Sequence, residues 1–515
     1  MKPRTVIKLI ILVILLSFYA FFLFHEIDLT TADLGRHIKN GEMILTKNFD
    51  VLYKNFYSYT NPDYPFVNHH WLSGVVFFLL FKFFGGIKAV HFLYIILSLF
   101  TFYFFFYIAR KESGFKIAAL GSIFLIPLIA ARSEIRPEAF SYFFAGLFFL
   151  ILWKFKKGEI SYRWLFILPL LEVFWVNFHI YFILGLFLIG IFFLESLYFK
   201  NLRKNSSILG GILALSSCAT FLNPFGAKGA LFPFRIFENY GYKIAENQSV
   251  YFLINWGYKN PNLLLFIIVF IVLSLSFVFV FFKNRKSFSY LYFLIFLVFG
   301  IMGWMAIRNF TIFAFFSLPI FSYNTKIIFK ILEKSKRNLT NSILLLFLSF
   351  CLIFHLINHY PLLKICSKTM GLGLMPGNSL SAEFFIKNNI KGPIFNNYDI
   401  GSYLIFYLFP KERPFVDNRP EAFSSSFFKD IYIPAQEDES AWKKIDSIYN
   451  FNVIFFNRND ITPWAQPFLI RRLDDSEWAP VFVDLYTIIF LKRNSQNENL
   501  IEKYQIPKKF FRVTK

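Results

Sequence analysis

The chain has 515 residues, of which 56% are hydrophobic, 22% aromatic and only 17% charged. Ordinary soluble domains carry about 25% charged residues, so a soluble fold of this length would lack polar surface, and most of the chain belongs in lipid. The formal charge of +22 admits a nucleic-acid partner until its location is read, and three scattered cysteines (Cys218, Cys351, Cys366) exclude a disulfide framework and a thiolate metal site.

Apolar runs approaching the ~20 residues of a membrane helix predict eleven spans, over 6–24, 87–109, 117–131, 139–153, 164–178, 180–199, 207–222, 262–282, 288–304, 309–323 and 340–358. The first has a basic flank, but no small-x-small cleavage site follows Tyr19-Ala20-Phe21, so it reads as an uncleaved anchor. Between the first two spans, Trp71–Phe84 is apolar but short, and Gly85-Gly86 ends it. That length suits an interfacial or re-entrant helix better than a span.

The basic residues then orient the chain. With the N-terminus in the cytoplasm, the inner segments hold 21 Lys and Arg against three acids, Glu112, Glu159 and Glu333. They supply +18 of the +22, which accounts for the charge without nucleic acid. The fold class is therefore a polytopic α-helical membrane protein of about eleven transmembrane helices, in residues 1–360. Its first loop, 25–86, and an α/β domain, 361–515, lie outside the cytoplasm. In that tail, Ser379 or Ser381 starts a helix through about Asn388, and Pro393–Asn396 reads as a short strand. Arg413–Asp417 and Val453–Phe456 read as buried strands, with helical stretches near 424–430 and 440–450. Val481–Val483 and Thr487–Lys492 read as a closing hairpin.

Polar residues collect on the predicted outer side. The first loop carries Asp28, Asp33, Arg36, His37 and Glu42, then Asn68-His69-His70-Trp71. The next outer loops hold Arg132-Ser133-Glu134-Ile135-Arg136-Pro137-Glu138, then Asn177-Phe178-His179, then 223–262 with Glu238 and Glu246, then Arg308-Asn309. A charge at mid-bilayer costs about 2.5–3.5 kcal/mol on insertion scales, so charges wedged between spans line a wet cavity, unless they snorkel to the headgroups. His69 and His70 are adjacent and point to different faces, which disfavours a metal site. No phosphate-binding loop, dinucleotide turn or nucleophile elbow occurs, so nucleotide binding and serine hydrolysis have no support. Thr30 or Thr31 is expected to cap a helix from Ala32 to about Leu45, with Leu34, Ile38 and Leu45 as its apolar stripe. Asp33 then lies in the first turn.

Asp33-Leu34-Gly35-Arg36-His37, Tyr57-Ser58-Tyr59-Thr60-Asn61-Pro62 and Val67-Asn68-His69-His70-Trp71-Leu72 resemble the first-loop signature of bacterial membrane proteins of the GT-C glycosyltransferase superfamily. Relatives include the protein O-mannosyltransferases, the aminoarabinose transferases of lipid A and the RgtA/B/C/D-like group. Arg136-Pro137-Glu138, Trp175-Val176-Asn177-Phe178-His179, Leu222-Asn223-Pro224-Phe225-Gly226, Ala306-Ile307-Arg308-Asn309, Phe395–Leu404 and Phe415-Val416-Asp417-Asn418-Arg419 are similar to this group as well. The resemblance implies an active site at the outer membrane face and a catalytic acid in the first loop. It also implies a sugar donor carried on polyprenyl phosphate, so no nucleotide fold is needed; no cofactor is expected, and no residues are assigned to a metal. Many relatives pair two acids closely in that loop. Here residue 31 is Thr, and the nearest acid upstream of Asp33 is Asp28.

The expectation is a glycosyltransferase of the cytoplasmic membrane that moves a sugar from a polyprenyl-phosphate donor to a glycan, lipid or protein acceptor outside the cytoplasm. Membrane lipids surround it, and nucleic acid plays no part. Asp33 is the expected general base, and Arg136 and Arg308 are expected at the donor phosphate, since guanidinium matches phosphate oxygens. His37, Glu42, His70, Glu138, Asn177 and His179 are expected to touch substrate or to support residues that do. The alternative is a non-enzymatic membrane carrier or scaffold for lipid-linked glycans.

Overall fold

A computed structural model describes residues 3–235, 240–334 and 369–511. The predicted span 340–358 lies outside them, as do Glu238, Lys336 and Arg337. The chain forms two compact units. The first comprises Met1–Glu26, His91–Pro233 and Lys243–Leu372. The second comprises Ile27–Val90, Phe234–Tyr242 and Gly373–Lys515.

Helices stand where the other ten spans are predicted: Pro3–Leu23, Ile87–Ser113, Phe115–Ile129, Glu138–Lys156, Ile167–Phe178, Ile183–Tyr198, Ser206–Ala219, Pro261–Lys283, Tyr290–Met305 and Phe310–Lys334. Six stretches are long and apolar enough to cross a membrane: Pro3–Leu23, Ile87–Ser113, Glu138–Lys156, Ile180–Tyr198, Pro261–Lys283 and Ile307–Leu332. The remaining four helices are shorter. Ile167–Phe178 falls short because the preceding turn, Tyr162–Phe166, winds as a 3-10 helix.

Phenylalanine fills the helical unit. Phe299 stacks on Phe316 at 4.2 Å, and Phe266 on Phe310 at 4.4 Å. Flat rings of this size bring helices into contact over a large area with only two side-chain torsions to freeze. Gly303 is required by this packing, because a Cβ there would sit 2.4 Å from the Phe266 ring. At the end of this unit where the basic turns lie, buried Glu112 accepts hydrogen bonds from Trp153 Nε1 (2.6 Å) and Tyr292 Oη (2.9 Å) and pairs with Lys157 at 3.0 Å. A buried carboxylate needs that company.

The second unit is built on a four-stranded sheet in the order β1-β2-β4-β3. Its strands are β1 (Ile394–Asn396), β2 (Val453–Asn457), β3 (Trp478–Val483) and β4 (Thr487–Lys492). β1 and β2 are parallel, with Ile394 opposite Val453. The others are antiparallel, and the predicted closing hairpin is β3–β4. Pro480 sits in the edge strand β3, where a missing backbone donor is tolerated. The predicted helix after Ser379 runs Leu380–Lys387, and the stretch near 440–450 is Glu439–Tyr449. Arg413–Asp417 departs from expectation. It is buried from Pro414 onward but forms no strand. The Asn396 side chain takes the place of a neighbouring strand, accepting from Phe415 N (2.8 Å) and donating to Val416 O (2.8 Å).

The first loop is stitched to this tail. Ile27 N donates to Gly373 O at 2.8 Å, and Leu29 N to Asn378 Oδ1 at 2.9 Å. Ser58 Oγ donates to Phe415 O, and Tyr59 Oη to Ile394 O. Two helices of the loop, Leu34–Leu45 and Trp71–Phe83, cross so closely that a Cβ on Gly41 would lie 2.1 Å from Gly74 O. Only glycine permits that approach.

Candidate active-site residues

Asp33 stands at the N-cap of helix Leu34–Leu45, which begins two residues after the expected Ala32, and its side chain makes no capping hydrogen bond. Neither predicted threonine caps it. Thr30 Oγ1 donates instead to Asp28 Oδ1 at 2.7 Å. The apolar stripe also differs, because Leu34, Ile38 and Ile44 are buried while Leu45 is 47% exposed. With its own helix amides left aside, the Asp33 carboxylate accepts a hydrogen bond from Asn418 Nδ2 of the tail. Arg36, one turn into the helix, donates from Nε to Asn418 Oδ1 at 3.3 Å and from its backbone N to Ser402 Oγ at 3.0 Å.

The segment that delivers Asn418 is rigidly held. Asp417 and Arg419 form a buried pair at 2.7 Å, and Arg419 also donates to Asn55 Oδ1 of the first loop. Gly401 makes room for it, since a Cβ there would be 2.4 Å from Asp417 Cα. Two further groups face this neighbourhood. Burial pushes the Glu421 carboxyl up, against the pull of Arg36 and Arg419. Tyr398 is 4% exposed, and its hydroxyl has no hydrogen-bond partner among the described residues. Burial, reinforced by Glu421, Asp33 and Asp399, pushes that hydroxyl well above the usual tyrosine range. Tyr242 stacks on its ring at 4.3 Å.

His37 is buried on the Asp33 helix, with the His70 ring 5.5 Å away. His70 in turn lies 3.9 Å from His69, just before helix Trp71–Phe83. Glu42 points elsewhere and pairs with Lys39 at 2.7 Å. Among the described residues, no three His, Cys, Asp or Glu side chains form a group that could hold a metal ion.

In the helical unit, four predicted outer loops meet. Glu138, with its side chain 4% exposed, is held by Arg132 in a two-point pair at 3.0 and 3.1 Å, and by Arg308. Glu246 joins Arg132 to Arg136, lying 2.9 Å from the latter. Arg136 also pairs with Glu134 at 3.0 Å, whose side chain is 55% exposed. Three guanidinium groups thus face three carboxylates. Burial raises the Glu246 carboxyl, but Arg132, Arg136 and Arg308 outweigh that effect and hold it down at about 2. Arg308 donates further to Asn247 at 2.9 Å, while its Nε has no hydrogen-bond partner among the described residues.

Asn177 and His179 lie at the same junction. Asn177 Nδ2 donates to Val173 O (2.7 Å) and Leu222 O (2.9 Å), which ties the end of one helix to the loop after another. His179 Nδ1 accepts from the Tyr181 amide and faces Ser141 Oγ at 2.8 Å, so the ring carries its proton on Nε2. Arg136 precedes helix Glu138–Lys156 and Arg308 lies in the 3-10 turn Ile307–Asn309 before helix Phe310–Lys334, yet neither is idle there, because each neutralises a carboxylate. Sequence reasoning passed over Arg132, Glu246, Tyr398, Asn418 and Glu421 as site residues. Arg132 and Glu246 carried the signal of outer-loop charge, and Tyr398 and Asn418 lay within the quoted tail motifs.

Neither a protein-family model nor a curated protein matches the chain. Its fold is nevertheless similar to that of the oligosaccharyltransferase of Archaeoglobus fulgidus tethered by a disulfide to an acceptor peptide with the NVT sequon. The TM-score is 0.61 at 14% identity, over 96% of this chain and 75% of that one. The apo form of the same enzyme gives 0.55 at 14% identity, over 92% and 73%. The oligosaccharyltransferase has the GT-C fold, and the chain described here shares it.

Proposed function

We propose that this protein is a glycosyltransferase of the cytoplasmic membrane, with eleven spans, its N-terminus inside and its tail outside. It moves a sugar from a polyprenyl-phosphate donor to a glycan, lipid or protein acceptor. The bond from the anomeric carbon to the donor phosphate breaks, and the acceptor hydroxyl oxygen bonds to that carbon. Its proton passes to Asp33, and the lipid phosphate leaves with the negative charge. The observation that carries this reading is the Asp33 carboxylate, half-buried and turned from its helix amides toward Asn418. The shared fold and the first-loop resemblance support the same assignment.

Arg136 and Arg308 are proposed to meet the donor phosphate, where guanidinium offsets the leaving charge. Glu134, the most exposed acid of their cluster, is the carboxylate that an incoming phosphate most easily displaces. The peptide held by the A. fulgidus enzyme supports a macromolecular acceptor. His37 and His70 are proposed to support Asp33, Asn177 and His179 to support the arginine cluster, and Glu138 to set the spacing of Arg132 and Arg308.

Asp33→Asn tests the reading, because it keeps shape and hydrogen bonding but removes the base. In membranes supplied with polyprenyl-phosphate sugars, the variant is expected to insert normally and lose about a hundredfold or more of its transfer rate. Transfer at close to the normal rate would remove Asp33 from the chemistry.

A further inference from the structure

We infer that Asn418 is the positioning residue for the Asp33 carboxylate, and that Arg36 sets which way its amide points. This inference rests on Asp33 being the base.

The argument is one of donors and acceptors. A guanidinium nitrogen can only donate, so the Arg36 Nε–H at 3.3 Å demands the carbonyl oxygen of the Asn418 amide. The amide plane then leaves only its NH2 for the other side, where it meets Asp33 Oδ1. Arg36 therefore acts on Asp33 at second hand, by fixing the orientation of a neutral donor. A neutral donor holds a carboxylate in place without adding a positive charge of its own. A direct guanidinium partner would instead weaken it as a proton acceptor.

The surroundings allow little movement. Arg36 is 5% exposed and anchored through its backbone to Ser402, and Asn418 is bracketed by the buried Asp417–Arg419 pair. The charged or titratable groups around Asp33 are Arg36 and His37 on its helix and His70 at the start of the next. On the tail they are Tyr398, Asp399, Asp417, Arg419 and Glu421.

The test is steady-state transfer by Asp33→Asn, Asn418→Ala and Asn418→Asp in lipid membranes. Asn418→Ala should lower kcat by roughly tenfold with KM little changed, since orientation is lost and substrate contacts are not. Asn418→Asp is isosteric and puts a second negative charge against Asp33. The acid limb of its pH–rate profile should move upward by roughly one unit or more, because a like charge favours the protonated form. A merely structural role would leave that limb where it is. If Asn418→Ala fails to insert, Asn418→Ser replaces it and should show the same loss of kcat. Normal kcat together with an unmoved acid limb, beside an inactive Asp33→Asn, would overturn the role of Asn418 and leave the base intact. An active Asp33→Asn would instead overturn the base, and this inference with it.

Discussion

Glu246→Gln removes one charge from the arginine–glutamate cluster without changing its shape. Three guanidinium groups hold this carboxyl at about 2 rather than the usual 4.5, against a burial effect of the opposite sign. A displacement of that size corresponds to about 3 kcal/mol of stabilisation at neutral pH. The side chain is 20% exposed, so solvent screening reduces the figure only modestly. Because the folded-state value lies below the unfolded one, the contribution is complete above about 4.5. It fades as the pH falls toward 2. Thermal unfolding of the protein in lipid nanodiscs, followed by tryptophan fluorescence, gives the comparison. The variant should melt several degrees below the parent at pH 7, and the gap should hold down to about pH 5 and narrow progressively below it. No gap at pH 7, or a gap as wide at pH 3 as at pH 7, would refute the electrostatic account of this cluster.

Arg308→Ala should both weaken donor use by roughly ten- to a hundredfold and lower stability by about 3 kcal/mol or more, since it strands part of the charge of buried Glu138. Arg308→Lys should recover most of the stability but little of the donor use, as a point charge cannot reproduce a planar fork. Parallel melting and turnover measurements separate the two effects. Gly41→Ala should cost about 1–3 kcal/mol and slow transfer, because its Cβ drives the Asp33 helix off Gly74; an unchanged melting temperature contradicts that packing. Reporter fusions after residue 285 should read cytoplasm and those after residue 380 the outside, following the basic segments. A cytoplasmic signal at 380 would contradict the eleven-span arrangement.

What the sequence by itself determined is what depends on near neighbours. Apolar runs located ten helices among the described residues, because a segment bound for lipid has to be apolar along its own length. Short apolar runs rich in β-branched residues located Val453–Phe456 and Thr487–Lys492, each buried against its neighbours in the sheet. Local pattern also drew attention to Arg136 and Arg308 through their position at the ends of such runs, and to Asp33 through its first-loop motif. It did not say how long each helix winds, and Ile167–Phe178 stops at 12 residues where a span was expected. Nor did it show that Arg413–Asp417, with the composition of a strand, would be paired by the side chain of Asn396.

The partners of the charged residues were decided only by tertiary structure. Asn418 lies 385 positions from Asp33, and Glu246 lies 110 from Arg136. The same holds for the joining of the first loop to the tail, which rests on hydrogen bonds such as Leu29 N to Asn378, 349 positions apart. Periodicity records which face of an element a residue occupies. It carries no record of what the folded chain brings to that face.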